Sequence, residues 1–260
     1  MPSLENFTVV VTGAAGGLGK AIATAFLEAG ANAAICDVSA ERIEATSSEW
    51  EAAHANRFLA SRTDITDEAA VTGFIGEVVG KFGKVDMLVN NAGIMDRFDP
   101  VGETDKALWD RVMGVNVTGA FLATKAAVNA MAPRGAGTII NIGSIASYRG
   151  LAAGAAYTAS KHALAGLNKN TASFYGAKGL SSIILYLGGM DTNITDFMRT
   201  NPPNMEGMKR QAEQMPGYVQ GETNVKVEDV AKYCLFFANG DLARVSNGAE
   251  ITVNKNWPAV

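Results

Sequence analysis

Seven short apolar runs, separated by longer amphipathic stretches, restrict this chain more than any other feature of it. They lie at 7–12, 33–37, 57–60, 85–90, 137–142, 182–187 and 250–253. Most are apolar nearly throughout rather than alternating, as strands covered by helices on both faces should be. The stretches between them predict helices at 17–29, 40–54, 67–82, 104–131, 155–178 and 227–238, several opened by an Asp, Ser or Thr that can serve as N-cap. This alternation predicts an α/β fold with a doubly wound parallel sheet. No Pro/Gly/Ser linker divides the 260 residues, and with 48% of them hydrophobic one core suffices, so residues 1–260 are expected to form a single domain. The rhythm breaks at 191–224, an irregular insertion with the pair Pro202-Pro203; a segment of that length in a compact domain is usually functional or mobile.

Charge and leader patterns exclude several classes of function. The net charge is −4, and lysines and arginines are scattered singly, which leaves no basic footprint for nucleic acid or an anionic membrane. No apolar run approaches the ~18 residues that span a bilayer, and Met1 to Asn6 lacks the basic flank of a signal peptide. The expectation is a soluble, cytoplasmic protein with no nucleic-acid or membrane partner. Cys36 and Cys234 sit inside apolar segments and read as buried free thiols. His54 and His162 alone do not make a metal site, so none is expected; His162 lies about 140° around a helix from Tyr157 and reads as a bystander.

Directly after the first apolar run comes Thr12-Gly13-Ala14-Ala15-Gly16-Gly17-Leu18-Gly19, followed by a helix. Glycines at 13, 17 and 19 let the backbone turn tightly, approach a pyrophosphate and pack the helix near the strand, while N–H groups at the helix start, including that of Leu18, meet the anion. Alone, such a loop is also an ordinary strand-to-helix turn. Asp37 closes the second run, where a carboxylate can accept hydrogen bonds from adenosine ribose hydroxyls. A phosphate on the 2′-oxygen would meet that charge at a cost on the order of 4 kcal/mol at an effective dielectric of 20. NAD(H) is therefore favoured over NADP(H), with Arg42 the one nearby cation. Asp37 could instead cap the next helix, as Ser39 could.

Tyr157 and Lys161 lie four apart in a predicted helix, about 400° of rotation, so phenol and ammonium share a face. A tyrosine titrates near 10 on its own, and an adjacent cation favours the phenolate. Ser144 follows the fifth apolar run. The pair alone is also an ordinary amphipathic surface pattern.

Taken together, these motifs make the chain resemble the classical short-chain dehydrogenase/reductase family over nearly its whole length. The family's TGxxxGxG pattern matches Thr12 to Gly19, its acidic adenine contact Asp64, its NNAG motif Asn90-Asn91-Ala92-Gly93, its helix asparagine Asn116, its strand serine Ser144, and YxxxK matches Tyr157 and Lys161. The resemblance implies a Rossmann-type sheet of seven parallel strands, a nicotinamide cofactor held along Gly13, Gly17, Leu18, Gly19, Asp37, Asp64, Asn91, Ala92, Gly93, Gly188 and Thr192, and oxidation or reduction of a small-molecule secondary alcohol or ketone. In that scheme Tyr157 exchanges a proton with the substrate oxygen. Lys161 bonds the nicotinamide ribose and holds the phenol's pKa down, Ser144 donates to the substrate oxygen, and Asn116 holds a relay water. Each residue also has a plain structural use. Asn90 and Asn91 could close a turn, Asp64 or Ser144 could cap a helix, and Asn116 could bond backbone.

Two segments depart from the family pattern. Leu187 stands where the family has proline, so the loop Leu187-Gly188-Gly189 should be more flexible, with Thr192 still in place. The end of the last strand reads Asn254-Lys255-Asn256-Trp257 in place of Asp-Gly-Gly. Assemblies in the family pair the helices matching 104–131 and 155–178, which implies a homotetramer, or a homodimer. The methionine-rich insertion 191–224 is expected to be the substrate lid, suited to a bulky apolar or cyclic ligand, with Met95, Tyr148, Leu151 and Met198 on the pocket wall. The competing expectations are an epimerase or dehydratase that retains its nicotinamide, and a protein that binds NAD without turnover.

Overall fold

The computed structural model describes residues 4–219 and 221–258; Met1 to Ser3, used above to read the N-terminus, and position 220 of the lid lie outside them. Seven strands form one parallel sheet in the order β3-β2-β1-β4-β5-β6-β7. They are β1 (Thr8–Thr12), β2 (Asn32–Asp37), β3 (Phe58–Arg62), β4 (Met87–Asn90), β5 (Gly137–Ile142), β6 (Leu180–Leu187) and β7 (Glu250–Val253). Every residue of β1, β4 and β6 is buried, which accounts for the unbroken apolar runs.

Each face of the sheet carries its own core. Val9, Val11 and Ile35 point to one side, where α1 (Gly17–Glu28) packs against α8 (Val227–Phe236). Val10, Leu88 and Ile139 point to the other, under α3 (Glu68–Phe82) and α5 (Ala120–Met131). On that second side α6 (Ala155–Tyr175) lies over β6 through Leu164 and Ile184. The caps follow the expected residue types: Ser39 opens α2 (Ala40–His54), and Asp67 opens α3 by accepting from Ala69 N and Ala70 N.

The predicted helix at 104–131 is three pieces. α4 (Lys106–Met113) runs into a π-helical turn at Gly114–Gly119 and then α5. A π turn inserts one residue into the helical period and often marks a functional site; here it carries Asn116. The lid is less irregular than its composition suggests. After β6 the chain forms a 3₁₀ helix at Asn193–Arg199 and α7 (Met205–Gln214), then returns through α8 and α9 (Gly240–Val245) to β7. Cys36 and Cys234 are buried and free, and burial pushes both thiols up to about 12. No helix among the described residues is long and apolar enough to cross a membrane.

Strand order reverses between β1 and β4, because β2 and β3 were laid down on one side of β1 and the chain then crossed to the other. Loops leaving β1 and β4 therefore diverge, and a crevice opens at their carboxyl ends.

Candidate active site

The crevice has a volume of about 1520 Å³ and is walled at one end by the glycine loop. Gly13 has φ +61°, and a Cβ there would lie 2.7 Å from Ala92 Cα; one at Gly19 would lie 2.5 Å from Asn91 Nδ2. Asn91 sews the two loops together: its Nδ2 donates to Thr12 O and Gly13 O at 2.9 Å each. Thr12 Oγ1 in turn accepts from Asn91 N and Ala92 N. Asn90 turns into the core, donating to Thr124 Oγ1 and Asn141 Oδ1. α1 opens at Gly16 and Gly17 with no side-chain cap, and Gly16, Gly17 and Leu18 face the crevice.

Two carboxylates follow along the same wall. Asp37 accepts from Ala15 N at 3.2 Å and Ser39 N at 3.0 Å, while Ser39 itself caps α2. Asp64 accepts from both Thr66 N and Thr66 Oγ1 and leaves the capping of α3 to Asp67. Both line the crevice. Arg42 is engaged: its Nη2 meets Asp196 Oδ2 of the lid at 2.5 Å.

At the other end Ser144 leaves β5 in extended conformation and closes a capping box with Ser147 around the 3₁₀ turn Ile145–Ser147. It caps, and it also hydrogen bonds the Tyr157 phenol. Tyr157 and Lys161 project from one face of α6, as the spacing required, and both are buried. Lys161 Nζ donates to Ile142 O at 2.8 Å and lies 5.4 Å from the Tyr157 ring centre. Desolvation lowers Lys161 to about 8. The phenol differs from the sequence expectation: burial raises its pKa, outweighing the bond from Ser144, and Asp96 raises it further. Lys161 does not offset this: lowered to about 8, it gives up its own charge before the raised phenol titrates.

Asn116 lies behind the crevice rather than in its lining. Its Oδ1 accepts from Ile94 N at 2.8 Å, and its Nδ2 donates to Ile94 O and Ser160 Oγ, each at 3.0 Å. Gly93 packs between Asn116 and Lys161. His162 bonds its own helix at Thr158 O.

The lid end is walled by Met95, Ile194, Phe197, Met208, Met215 and Tyr218. Thr192 faces the crevice and caps the 3₁₀ helix, and Gly188, whose N–H donates to Val253 O, approaches Asn254 too closely for a side chain. Three expected wall residues lie elsewhere. Tyr148 is turned onto Tyr186, with ring centres 5.5 Å apart. Leu151 sits in the turn before α6, where Ala152 takes the place at the wall. Met198 is on the wrong side of a 3₁₀ helix: with three residues per turn, Ile194 and Phe197 share the inner face and Met198 is rotated off it. Trp257, singled out only as a departure at the C-terminal turn, proves to be a wall residue. Its ring meets Tyr218 at 4.9 Å, and its Nε1 donates to Pro216 O.

Comparison with known proteins agrees with this geometry. The family model for short chain dehydrogenases matches residues 7–203. The chain is 45% identical to short chain dehydrogenase/reductase dpchG of Colletotrichum higginsianum, covering 99% of this chain and 96% of that one. It is 36% identical to 3beta-hydroxysteroid dehydrogenase 2 of Eggerthella lenta, covering 99% and 97%. Levodione reductase superposes with a TM-score of 0.85 at 27% identity, covering 98% of this chain and 99% of that one. ElxO with NADP bound gives 0.82 at 25% identity, covering the same shares. The chain belongs to the short-chain dehydrogenase/reductase family of oxidoreductases.

Proposed function

We propose that this protein is an NAD(H)-dependent oxidoreductase that interconverts a secondary alcohol and its ketone on an apolar, cyclic substrate. One observation carries the reading: Ser144, Tyr157 and Lys161 stand on the wall of the same crevice whose far end holds the glycine loop and Asp37. The residues fit a dinucleotide. The glycine loop faces the crevice, α1 begins there with uncapped N–H groups that would meet a pyrophosphate, and Asp37 lines the same wall, where it would accept from the adenosine ribose.

Asp37 disfavours a 2′-phosphate, and the charge that could offset it, on Arg42, is paired with Asp196. ElxO holds NADP on a similar fold, so the fold alone does not select against a 2′-phosphate and the choice falls to these side chains. When bound, the nicotinamide gives or receives the hydride. Tyr157 holds the proton that the substrate oxygen gains or loses, and Ser144 orients both by hydrogen bonding. Burial keeps the phenol protonated, so ketone reduction is favoured at neutral pH, and alcohol oxidation speeds up as the pH rises. Lys161 near 8 can pass that proton on, and Asn116 Oδ1 keeps a lone pair for a relay water. The lid and Trp257 supply an apolar enclosure for ring carbons; the similarity to a hydroxysteroid dehydrogenase supports the same substrate class. We place the protein in a homotetramer formed through α5 and α6, where Phe121 and Phe174 are exposed; a monomer mass by sedimentation overturns that assembly.

The test is NADH absorbance on mixing the protein with NAD and a panel of cyclic secondary alcohols, beside Tyr157→Phe. Steady turnover that the variant loses by 100-fold or more, roughly the scale of a general acid/base, bears the reading out. Substrate conversion at constant absorbance would mean a non-redox reaction, and binding without conversion a sensor. Asp37→Ala should raise the NADPH/NADH preference ratio about tenfold or more; a wild type that binds NADPH more tightly than NADH sinks the charge argument.

A further inference from the structure

α6 carries Tyr157 and Lys161, yet it starts without a cap of its own, because its N-cap residue is Gly154. The first N–H groups of a helix have no partner within it and are usually met by an N-cap side-chain oxygen. Here the oxygen comes from Asp96, a carboxylate buried to 1% exposure. Its Oδ2 accepts from Tyr157 N at 2.9 Å and its Oδ1 from Gly154 N at 3.0 Å. Oδ1 also accepts from Phe98 N, closing a turn in which Phe98 adopts φ 64°. Beside it Ala155 N donates to Asp99 O. The site is shaped around that carboxylate: a Cβ at Gly154 would stand 2.6 Å from Asp96 Oδ2 and 2.7 Å from Asp99 N.

We propose that Asp96 is a positioning residue for Tyr157, capping α6 in place of Gly154 and so tying the backbone of the acid/base residue to the loop that follows β4. The inference rests on the reading of Tyr157 as the proton-exchange group. That loop also presents Met95 and Phe98 to the crevice, so one carboxylate sets the phenol and part of the pocket wall together. An amide cannot replace it. Both oxygens of Asp96 accept N–H bonds, and the NH₂ of an asparagine would face an N–H on one side whichever way it turned. A shift of about 1 Å in a reacting group costs on the order of 100-fold in rate.

The carboxylate also opposes ionisation of the phenol, after burial, against the bond from Ser144. Other charged or titratable groups on the elements that pack against α6 or line its crevice are Lys161 on α6 itself, the Arg97–Asp99 pair on the same loop, and Asp110 and Arg111 from α4. Tyr148 and the Tyr186–Glu250 pair lie beyond, at the 3₁₀ turn and on β6 and β7. The lid and C-terminal segment bring apolar Ile194, Met215 and Trp257. Removing the charge at position 96 therefore lets the phenol ionise at lower pH.

The experiment compares pH profiles of kcat and kcat/KM for alcohol oxidation in the wild type, Asp96→Asn and Tyr157→Phe, with NADH affinity followed by fluorescence. Expected for Asp96→Asn is a plateau kcat lower by about 10- to 100-fold. Its acid limb should move down by roughly half a pH unit or more, and its NADH Kd should stay within about twofold. A limb that stays put, or a kcat like the wild type, overturns the inference. If Asp96→Asn does not fold, Gly154→Ala displaces the carboxylate while keeping every charge. It should lower kcat about tenfold with NADH affinity kept, and a normal kcat in it overturns the inference equally. Tyr157→Phe separates the two levels: wild-type turnover in that variant sinks the underlying reading, whereas an inactive Tyr157→Phe beside a normal Asp96→Asn sinks the positioning role alone.

Discussion

The glycine loop and the lid wall the same crevice, but they are held by opposite means. α1, twelve residues long, buries Leu18, Gly19, Ile22, Ala23, Phe26 and Leu27 against the sheet and α8, whereas the ten residues of α7 bury none completely. Apart from Ile194, Phe197 and Met215, which pack in two small apolar clusters, the lid is held by polar contacts at its rim. Asn204 donates to Asp99 and Glu103, Gln211 to Ala152 O, and Asp196 pairs with Arg42. Segments with few buried contacts open locally at a small fraction of the global unfolding free energy. The difference fits the proposed function, in which one end holds a cofactor in fixed geometry while the other opens and closes over the substrate.

The rigid side should break most sharply. At Gly19 a Cβ meets the Asn91 amide and the Gly13 carbonyl, neither of which can retreat without opening the clamp between the β1 and β4 loops. Gly19→Val is expected to lower the unfolding free energy by about 3 kcal/mol, read from the urea midpoint, and to abolish NADH binding. If the variant bound NADH normally, the loop would be as yielding as the lid and the comparison would fail.

A second effect belongs to Lys161, at the boundary between the halves. Its folded pKa of about 8 lies below the ordinary 10.5, through desolvation. The unfolded chain then binds more protons between those values, so this group's contribution is complete above 10.5 and is lost as pH falls through 8. Wild-type stability should gain about 2 kcal/mol from about pH 7.5 to about pH 9.5 relative to Lys161→Met, in paired urea titrations. Equal slopes would mean that the ammonium is solvated and the crevice floor open.

What the sequence disclosed follows the same division. The strands were legible because parallel strands buried on both faces leave unbroken apolar runs, and the glycine loop because the close approach of the β1 and β4 loops leaves no room for a side chain at Gly13 and Gly19. Tyr157 and Lys161 were legible because helical spacing alone puts them on one face. The π turn around Asn116 was not, since its residues keep a helical pattern. Met198 and Tyr148 were misplaced because their side of a short helix or turn depends on tertiary packing. Asp96 left no signal at all: a lone acid acquires its role only when the loop after β4 folds onto the start of α6.

The lid should respond locally. Met215 is 3% exposed, in a cluster with Ile145, Tyr157 and Trp257. Truncating a methionine in a rigid core costs about 2–5 kcal/mol. If the lid opens ahead of the rest of the chain, Met215→Ala moves the global urea midpoint by less than about 1 kcal/mol. The cost should appear as faster proteolytic nicking within 193–214 and a substrate KM higher by roughly tenfold at unchanged NADH affinity. A full core-sized penalty in the urea midpoint would show that lid and sheet unfold as one unit.

The smallest effect tests the contact that joins the halves. Arg42 and Asp196 are 44% and 27% exposed, and pairs this open are worth about 0–1 kcal/mol and weaken in salt. The Arg42 bond, with help from Asn193, holds the Asp196 carboxyl below its usual 3.8. A depressed carboxyl contributes stability above its unfolded pKa and loses it as pH falls through the folded value, so the pair should be intact and insensitive to pH from weakly acid to weakly alkaline solution. Asp196→Asn is expected to speed amide exchange over 193–199 by about two- to fivefold while the urea midpoint stays within about 0.5 kcal/mol. The same variant frees Arg42 beside Asp37, so NADPH affinity should rise slightly as the lid loosens. A drop in the urea midpoint comparable to that of Gly19→Val would make this bridge a structural tie between the halves instead of a latch on the lid.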